Sequence, residues 1–146
     1  MTQEEILEYN KRCALFLGYT YYPFVKEGKY PSGLPGWQLP KANFKLPETY
    51  LGRTHRDLKF HSDWNWIMEV VEAIEKLGYQ FDITGNEVGV NSNIMSMENI
   101  STGGTMNSYN RSYYPTIISV CEEEYSKKGA VVQAINQFLI WYNENR

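Results

Sequence analysis

Three segments of this chain repeat apolar side chains every three to four residues, and between them the repeat drops to two. A helix turns once per 3.6 residues and a strand flips its side chains at every residue, so alternating periods dictate a mixed α and β fold. The first helical stripe is Ile6, Asn10, Cys13 and Leu17, widened by Leu7, Ala14 and Phe16. Thr2 and Glu5 precede it with capping-box spacing, in which each side chain satisfies an orphan amide of the other residue. Gly18 follows as a stop, because it can take the left-handed conformation after the last turn. The second stripe is Trp64, Ile67, Met68, Val71, Ile74 and Leu77, with Ser62 or Asp63 as its cap and Gly78 as its stop. The third runs through Val131 or Val132, Ile135, Phe138 or Leu139, and Tyr142, opened by Ser126 or Gly129. Helices are expected over 2–17, 62–77 and 128–143.

The period-two segments fill the gaps. Tyr79, Phe81 and Ile83 alternate with polar residues, Gly85-Asn86 is a turn signal, and 87–91 can return antiparallel. The β-branched run 116–120 is a further strand of the same sheet, and Ile94, Met95, Met97 and Ile100 suggest a weak one before it. Residues 19–25 are extended, with Pro23 restricting them to a sheet edge. Residues 57–61 read as a short strand with Leu58 and Phe60 on one face. Consecutive strands with short turns favour an antiparallel meander. The expected class is α+β, an antiparallel sheet of about four strands packed by two or three amphipathic helices in a sandwich-like arrangement.

The length of 146 residues suits one domain, 1–146. One stretch interrupts it. Residues 26–53 hold Pro31, Pro35, Pro40 and Pro47 with Gly28, Gly33, Gly36 and Gly52. A loop this long is functional or disordered in most domains. Trp37, Phe44 and Leu46 want burial, so a packed excursion is expected here.

The net charge of −3 argues against an extended nucleic-acid ligand, whose binders carry a basic face. Twelve Tyr and four Trp are the compositional outlier, filling either a core or a binding surface. Cys13 and Cys121 have neither redox nor zinc spacing, and both are expected as free buried thiols. The first residues are acidic and polar, unlike a signal peptide. No apolar run approaches the roughly 20 residues of a membrane helix. A soluble protein of the cytoplasm is the expectation.

Two stretches carry a resemblance. In the first, Phe60-His61-Ser62 ends an extended segment and leads into Asp63-Trp64-Asn65-Trp66-Ile67-Met68. In the second, the chain closes on Phe138-Leu139-Ile140-Trp141-Tyr142-Asn143. Together they resemble a group of short proteins encoded by bacterial viruses and prophages, with an α-β-α sandwich-like fold. The resemblance covers the second helix, the strand after it and the last helix. It implies phage or prophage origin and action inside a bacterial host cell. It brings no catalytic residues with it.

Few constellations carry chemistry. On an extended strand His55, Asp57, Lys59 and His61 share one face. Imidazole and carboxylate suit a divalent metal, but Lys59 repels one and the spacing matches no closed site. His61 also occupies the staple position before the Ser62 cap, where it can pack on Trp66. No metal or other cofactor is therefore expected. Ser101-Thr102-Gly103-Gly104-Thr105 is able to cradle an anion through its amides and hydroxyls. Its ordinary role is a turn, because no lysine follows the glycines as in a nucleotide-binding loop. Neither a nucleophile elbow nor a zinc-protease motif is present.

These readings favour a non-enzymatic accessory binding protein, in a counter-defence role, that captures a host protein or a small nucleotide signal. Its expected surface combines Tyr30 and Trp37 of the Pro-rich loop with Ser101, Thr102, Gly103, Gly104, Thr105, Tyr109 and Arg111. Aromatic and arginine side chains dominate protein hot spots, and aromatics also stack on bases. Two alternatives stand beside it: a small metal-dependent hydrolase or nuclease using the His55–His61 region, and a structural accessory protein without a ligand. Homo-oligomerisation is left open.

Overall fold

A computed structural model describes residues 1–23, 35–39, 50–84, 87–101, 108–121 and 126–146. The order is α1 (Gln3–Phe16), β1 (Thr20–Tyr22), β2 (Gly36–Gln38), β3 (Tyr50–Gly52), a 3-10 turn (His55–Asp57), α2 (Trp64–Lys76), β4 (Gln80–Thr84), β5 (Glu87–Asn91), β6 (Ser96–Ser101), β7 (Ser108–Tyr113), β8 (Thr116–Cys121) and α3 (Lys127–Asn145). The class is α+β. The strands form three small antiparallel sheets, β1-β2-β3, β4-β5-β8 and β6-β7, instead of one sheet of about four strands. Among the described residues no helix is long and apolar enough to cross a membrane.

The helices begin where side chains satisfy orphan amides. At α1 the capping box closes in both directions: Thr2 N donates to Glu5 Oε2 at 2.6 Å, and Glu5 N donates to Thr2 Oγ1 at 3.2 Å. Asp63 caps α2 by accepting from Asn65 N, and Ser126 caps α3 by accepting from Gly129 N. Gly18 and Gly78 end α1 and α2 at φ +92° and +96°. An L side chain is strained there, which is why the helices stop at these glycines.

The chain divides into two units, residues 1–70 with 139–146, and residues 71–138. In the first, α1 is fastened to the segment ahead of α2. Leu58 and Phe60 are fully buried, so their backbone carbonyls lie away from water. This segment is not a strand: the turn at His55–Asp57 leads into irregular backbone, and no ladder accepts its polar groups. A buried carbonyl without a donor costs about 1–3 kcal/mol. Consecutive residues of α1 supply the donors. Tyr9 Oη donates to Phe60 O at 3.1 Å, and Asn10 Nδ2 donates to Leu58 O at 3.1 Å. Phe60 also packs edge-on against Trp66, with ring centroids 4.9 Å apart. Phe60, where His61 was expected, thus packs on Trp66.

The Pro-rich stretch contains structure. Its described parts are β2 and β3, which pair with each other, and β1 completes the sheet. Gly36, Trp37 and Gln38 are all buried. The remainder of the expected 26–53 loop lies outside the described residues.

In the second unit, β5–β6 and β7–β8 are the two legs of one long hairpin. The inner part, β5 with β8, joins β4 in a sheet whose Phe81, Val88, Val90, Ile118 and Val120 are buried. Between Val90 and Asn91 the register shifts, leaving Ile117 as an extra residue, and Pro115 follows with no N–H to give. A bulge and a proline bend a ladder. Ser92 N still donates to Pro115 O across the bend, and pairing resumes from Ser96–Tyr113 to Ser101–Ser108. The outer part, β6 with β7, is a two-stranded arm. Residues 108–113, for which no strand was expected, form one because the arm pairs them.

Replacing Asn10 with Ala removes the donor to Leu58 O and leaves that carbonyl buried. A loss of about 3 kcal/mol in chemical denaturation is expected, with about 1–2 kcal/mol for Tyr9→Phe.

Candidate functional site

The arm presents its two faces differently. Register pairs Glu98 with Arg111, Asn99 with Asn110 and Ile100 with Tyr109. Side chains alternate along each strand, so Ser96, Glu98, Ile100, Tyr109, Arg111 and Tyr113 share one face. The opposite face is Met97 with small polar residues. Arg111 Nη2 lies 3.7 Å from Glu98 Oε2, and its guanidinium lies over the Tyr113 ring at 5.5 Å. Asn99 Nδ2 donates to Asn110 Oδ1 at 3.1 Å on the other side.

The arm and its bend expose large apolar side chains: Ile94 at 71%, Met95 at 53%, Met97 at 68% and Tyr109 at 54%, with Tyr114 also exposed. Exposed apolar side chains are ordinary one at a time; Met97 stands on the opposite face from Tyr109, and Ile94 and Met95 precede the strand pair.

The sequence-derived residues separate on this structure. Tyr109 and Arg111 come together on one face of the arm, and Ser101 ends β6, exposed. Tyr30, Thr102, Gly103, Gly104 and Thr105 lie outside the described residues. Trp37 corrects the expectation of a surface aromatic. It is only 3% exposed, its ring 5.4 Å from Tyr21 and 5.5 Å from His55, and its Nε1 donates to His55 Nδ1 at 3.0 Å. A buried indole packed against two rings, with its N–H engaged, is a plug of the β1-β2-β3 sheet.

The histidines are likewise committed. His55 lies in the 3-10 turn, not on a strand, with its ring 4.3 Å from Tyr21. His61 Nδ1 pairs with Asn10 Nδ2 at 3.0 Å. Because Nδ1 accepts in each case, the proton of each neutral ring belongs on Nε2. Burial lowers the pKa of both; for His55 the charge of Lys11 adds to this and Glu8 opposes it. Among the described residues no group of three His, Cys, Asp or Glu side chains is placed to hold a metal ion. Gln3, Ile6, Leu7, Asn10, Arg56 and His61 line an open cleft of about 450 Å³, where Asn10 Oδ1 is buried without a donor. The cleft holds no activated nucleophile.

The cysteines differ from each other. Cys13 is buried in α1, and burial pushes its thiol up to about 12. Cys121 was expected to be buried, but it is exposed, because it ends β8 in the outward register.

Sequence reasoning missed Asn10 and the Met97–Ile100 segment as features of interest. A polar residue on an otherwise apolar helical stripe was the signal for the first. No family model, curated protein or solved structure matches this chain.

Both histidines have depressed values in the fold, so the unfolded chain binds more protons as pH falls through 6.5. Stability should be complete above that pH and fall below it, before the carboxylates begin to titrate. Thermal melts between pH 7.5 and 5.5 check this, and a His55→Asn/His61→Asn double variant should melt at a temperature that varies less with pH. Trp37→Ala should cost about 3–5 kcal/mol, read by denaturant melts.

Proposed function

We propose that this is a non-enzymatic accessory protein of phage or prophage origin. It acts in the bacterial cytoplasm, capturing a host protein through the Tyr109–Arg111 face of the β6–β7 arm, in a counter-defence role. The observation that carries this reading is that Tyr109, Arg111 and Ile100 share one face of a strand pair that adds no side chain to the buried core. The helices supply buried stripes; the arm does not. Tyrosine and arginine on one face, bordered by Ile100, have the composition of a protein hot spot. A ribbon two strands wide also offers a partner an extended surface, whereas small molecules favour concave sites.

The same geometry favours a protein over a nucleotide signal. Arg111 is engaged by Glu98 and by the Tyr113 ring, so it is not a free cation awaiting a phosphate. The binding reading is preferred over hydrolysis because both imidazoles give Nδ1 to structural donors.

Tagged protein recovered from infected cells, with bound species identified by mass spectrometry, is the test. A host protein should co-purify. Tyr109→Ala and Arg111→Ala should each weaken its capture by about 2 kcal/mol, roughly 30-fold, with unchanged melting temperature. Recovery of a small molecule instead, or capture indifferent to both substitutions, would overturn the reading.

A further inference from the structure

In an antiparallel pair, alternate residues turn their N–H and C=O groups toward the neighbour and the others point outward. The β6–β7 arm is two strands wide, so among the described residues both outer edges are unpaired. Such edges are templates for another strand unless lysine, proline, a bulge or a covering element blocks them. Along β7, Ser108–Tyr113, there is neither lysine nor proline, residues 108–112 are exposed, and its pairing with β6 carries no register shift.

We propose that two copies of this protein join through the β7 edge, antiparallel about a twofold axis at Asn110, making one four-stranded ribbon from two arms. The argument is self-complementarity. A twofold axis normal to the ribbon keeps each face on its own side, so it must pass through a residue position and not between two. With the axis at Asn110, Tyr109 of each copy lies opposite Arg111 of the other. Asn110 lies opposite Asn110, and Ser108 opposite Ser112. Every cross-strand pair is then compatible: two tyrosine–arginine contacts of cation–π type, one amide pair and two hydroxyl pairs.

The other placements pair fewer residues or oppose like charges: an axis at Ser112 also sets Arg111 against Tyr113, but it engages only residues 111–113 of β7. An axis at Arg111 sets two guanidiniums against each other, and directly opposed like charges destabilise a strand pair. An axis at Tyr109 leaves Arg111 with no partner in the β7 of the second copy. On the β6 edge, an axis at Glu98 opposes two carboxylates, and one at Asn99 sets Glu98 beside Ile100. Among the described strands, only the Asn110 axis pairs five residues without such a conflict.

The ribbon also explains the composition of the face. Tyr109 and Arg111 from both copies form an alternating group of four, and each arginine keeps its own Glu98 beside it. The contact is an edge-to-edge one between short strands, so the dimer is weak and concentration-dependent. It does not depend on capture of a host protein, because it is read with purified protein alone.

Disulfide trapping tests both the dimer and its register. In a Cys121→Ser background the remaining Cys13 is buried and unreactive. Residues directly opposite in an antiparallel pair have Cα atoms about 4.5–5.5 Å apart, within reach of a disulfide. Mild oxidation should therefore convert the Asn110→Cys variant to a covalent dimer. The Ser112→Cys variant should stay monomeric, since its two copies lie four residues apart along the ribbon, roughly 13 Å. In sedimentation, otherwise unmodified protein should show a monomer–dimer equilibrium that Asn110→Lys abolishes without changing the melting temperature. Equal cross-linking at both positions, cross-linking at Ser112→Cys alone, or a monomer at every concentration would overturn the proposal.

Discussion

Two hydrogen bonds from one turn of α1 hold the first unit in order. The Leu58–Phe60 segment is buried without being a strand, so its carbonyls cannot be satisfied by a ladder. Tyr9 and Asn10 reach across from α1 and satisfy them. This lets Leu58 and Phe60 enter the core and sets the point from which Asp63 can cap α2. Asn10 adds His61 to the same cluster, using its second amide hydrogen. Its Oδ1 remains buried without a donor, the one such side-chain atom among the described residues. The aromatic excess noted in the composition is partly explained here and at Trp37. Tyr9, Trp37 and Phe60 are core side chains, two of them with polar tips that do structural hydrogen bonding.

The second unit solves a different problem. A hairpin with legs this long cannot be buried along its whole length by one helix-covered sheet. The inner half is buried and strictly alternating; the outer half leaves that sheet at the bulge by Ile117 and at Pro115. Beyond that bend burial no longer selects the side chains. Serines, asparagines, an ion pair and exposed methionines appear instead. The same freedom leaves the arm's side chains exposed, and among the described residues its two-strand width leaves both outer edges unpaired.

Much of the fold was legible in the sequence. The three helices, the Thr2 cap and the glycine stops of α1 and α2 are local features, fixed by contacts within a few residues; for α2 and α3 the sequence left two caps open, and the structure selects Asp63 and Ser126. The strands at 80–84, 87–91 and 116–121 follow from alternation against a core. Residues 57–61 misled because Leu58 and Phe60 alternate as a strand would, while their carbonyls are satisfied by a helix 48 and 51 residues earlier. The arm was legible only in part: Ile94, Met95, Met97 and Ile100 marked a weak strand where β6 forms, while residues 108–113, with no buried face, have no period-two apolar pattern to read.

The sequence by itself determined the α+β class and the helix limits, because each depends on neighbours along the chain. The tertiary structure decided which aromatics are plugs and which are exposed. It turned Trp37 inward onto His55, and it set Arg111 opposite Glu98 and in line with Tyr109. Those outcomes depend on which distant strand supplies the opposing residue. Pairing partners are chosen by loop closure and by burial of the sheet as a whole, and neither quantity is written at any single position.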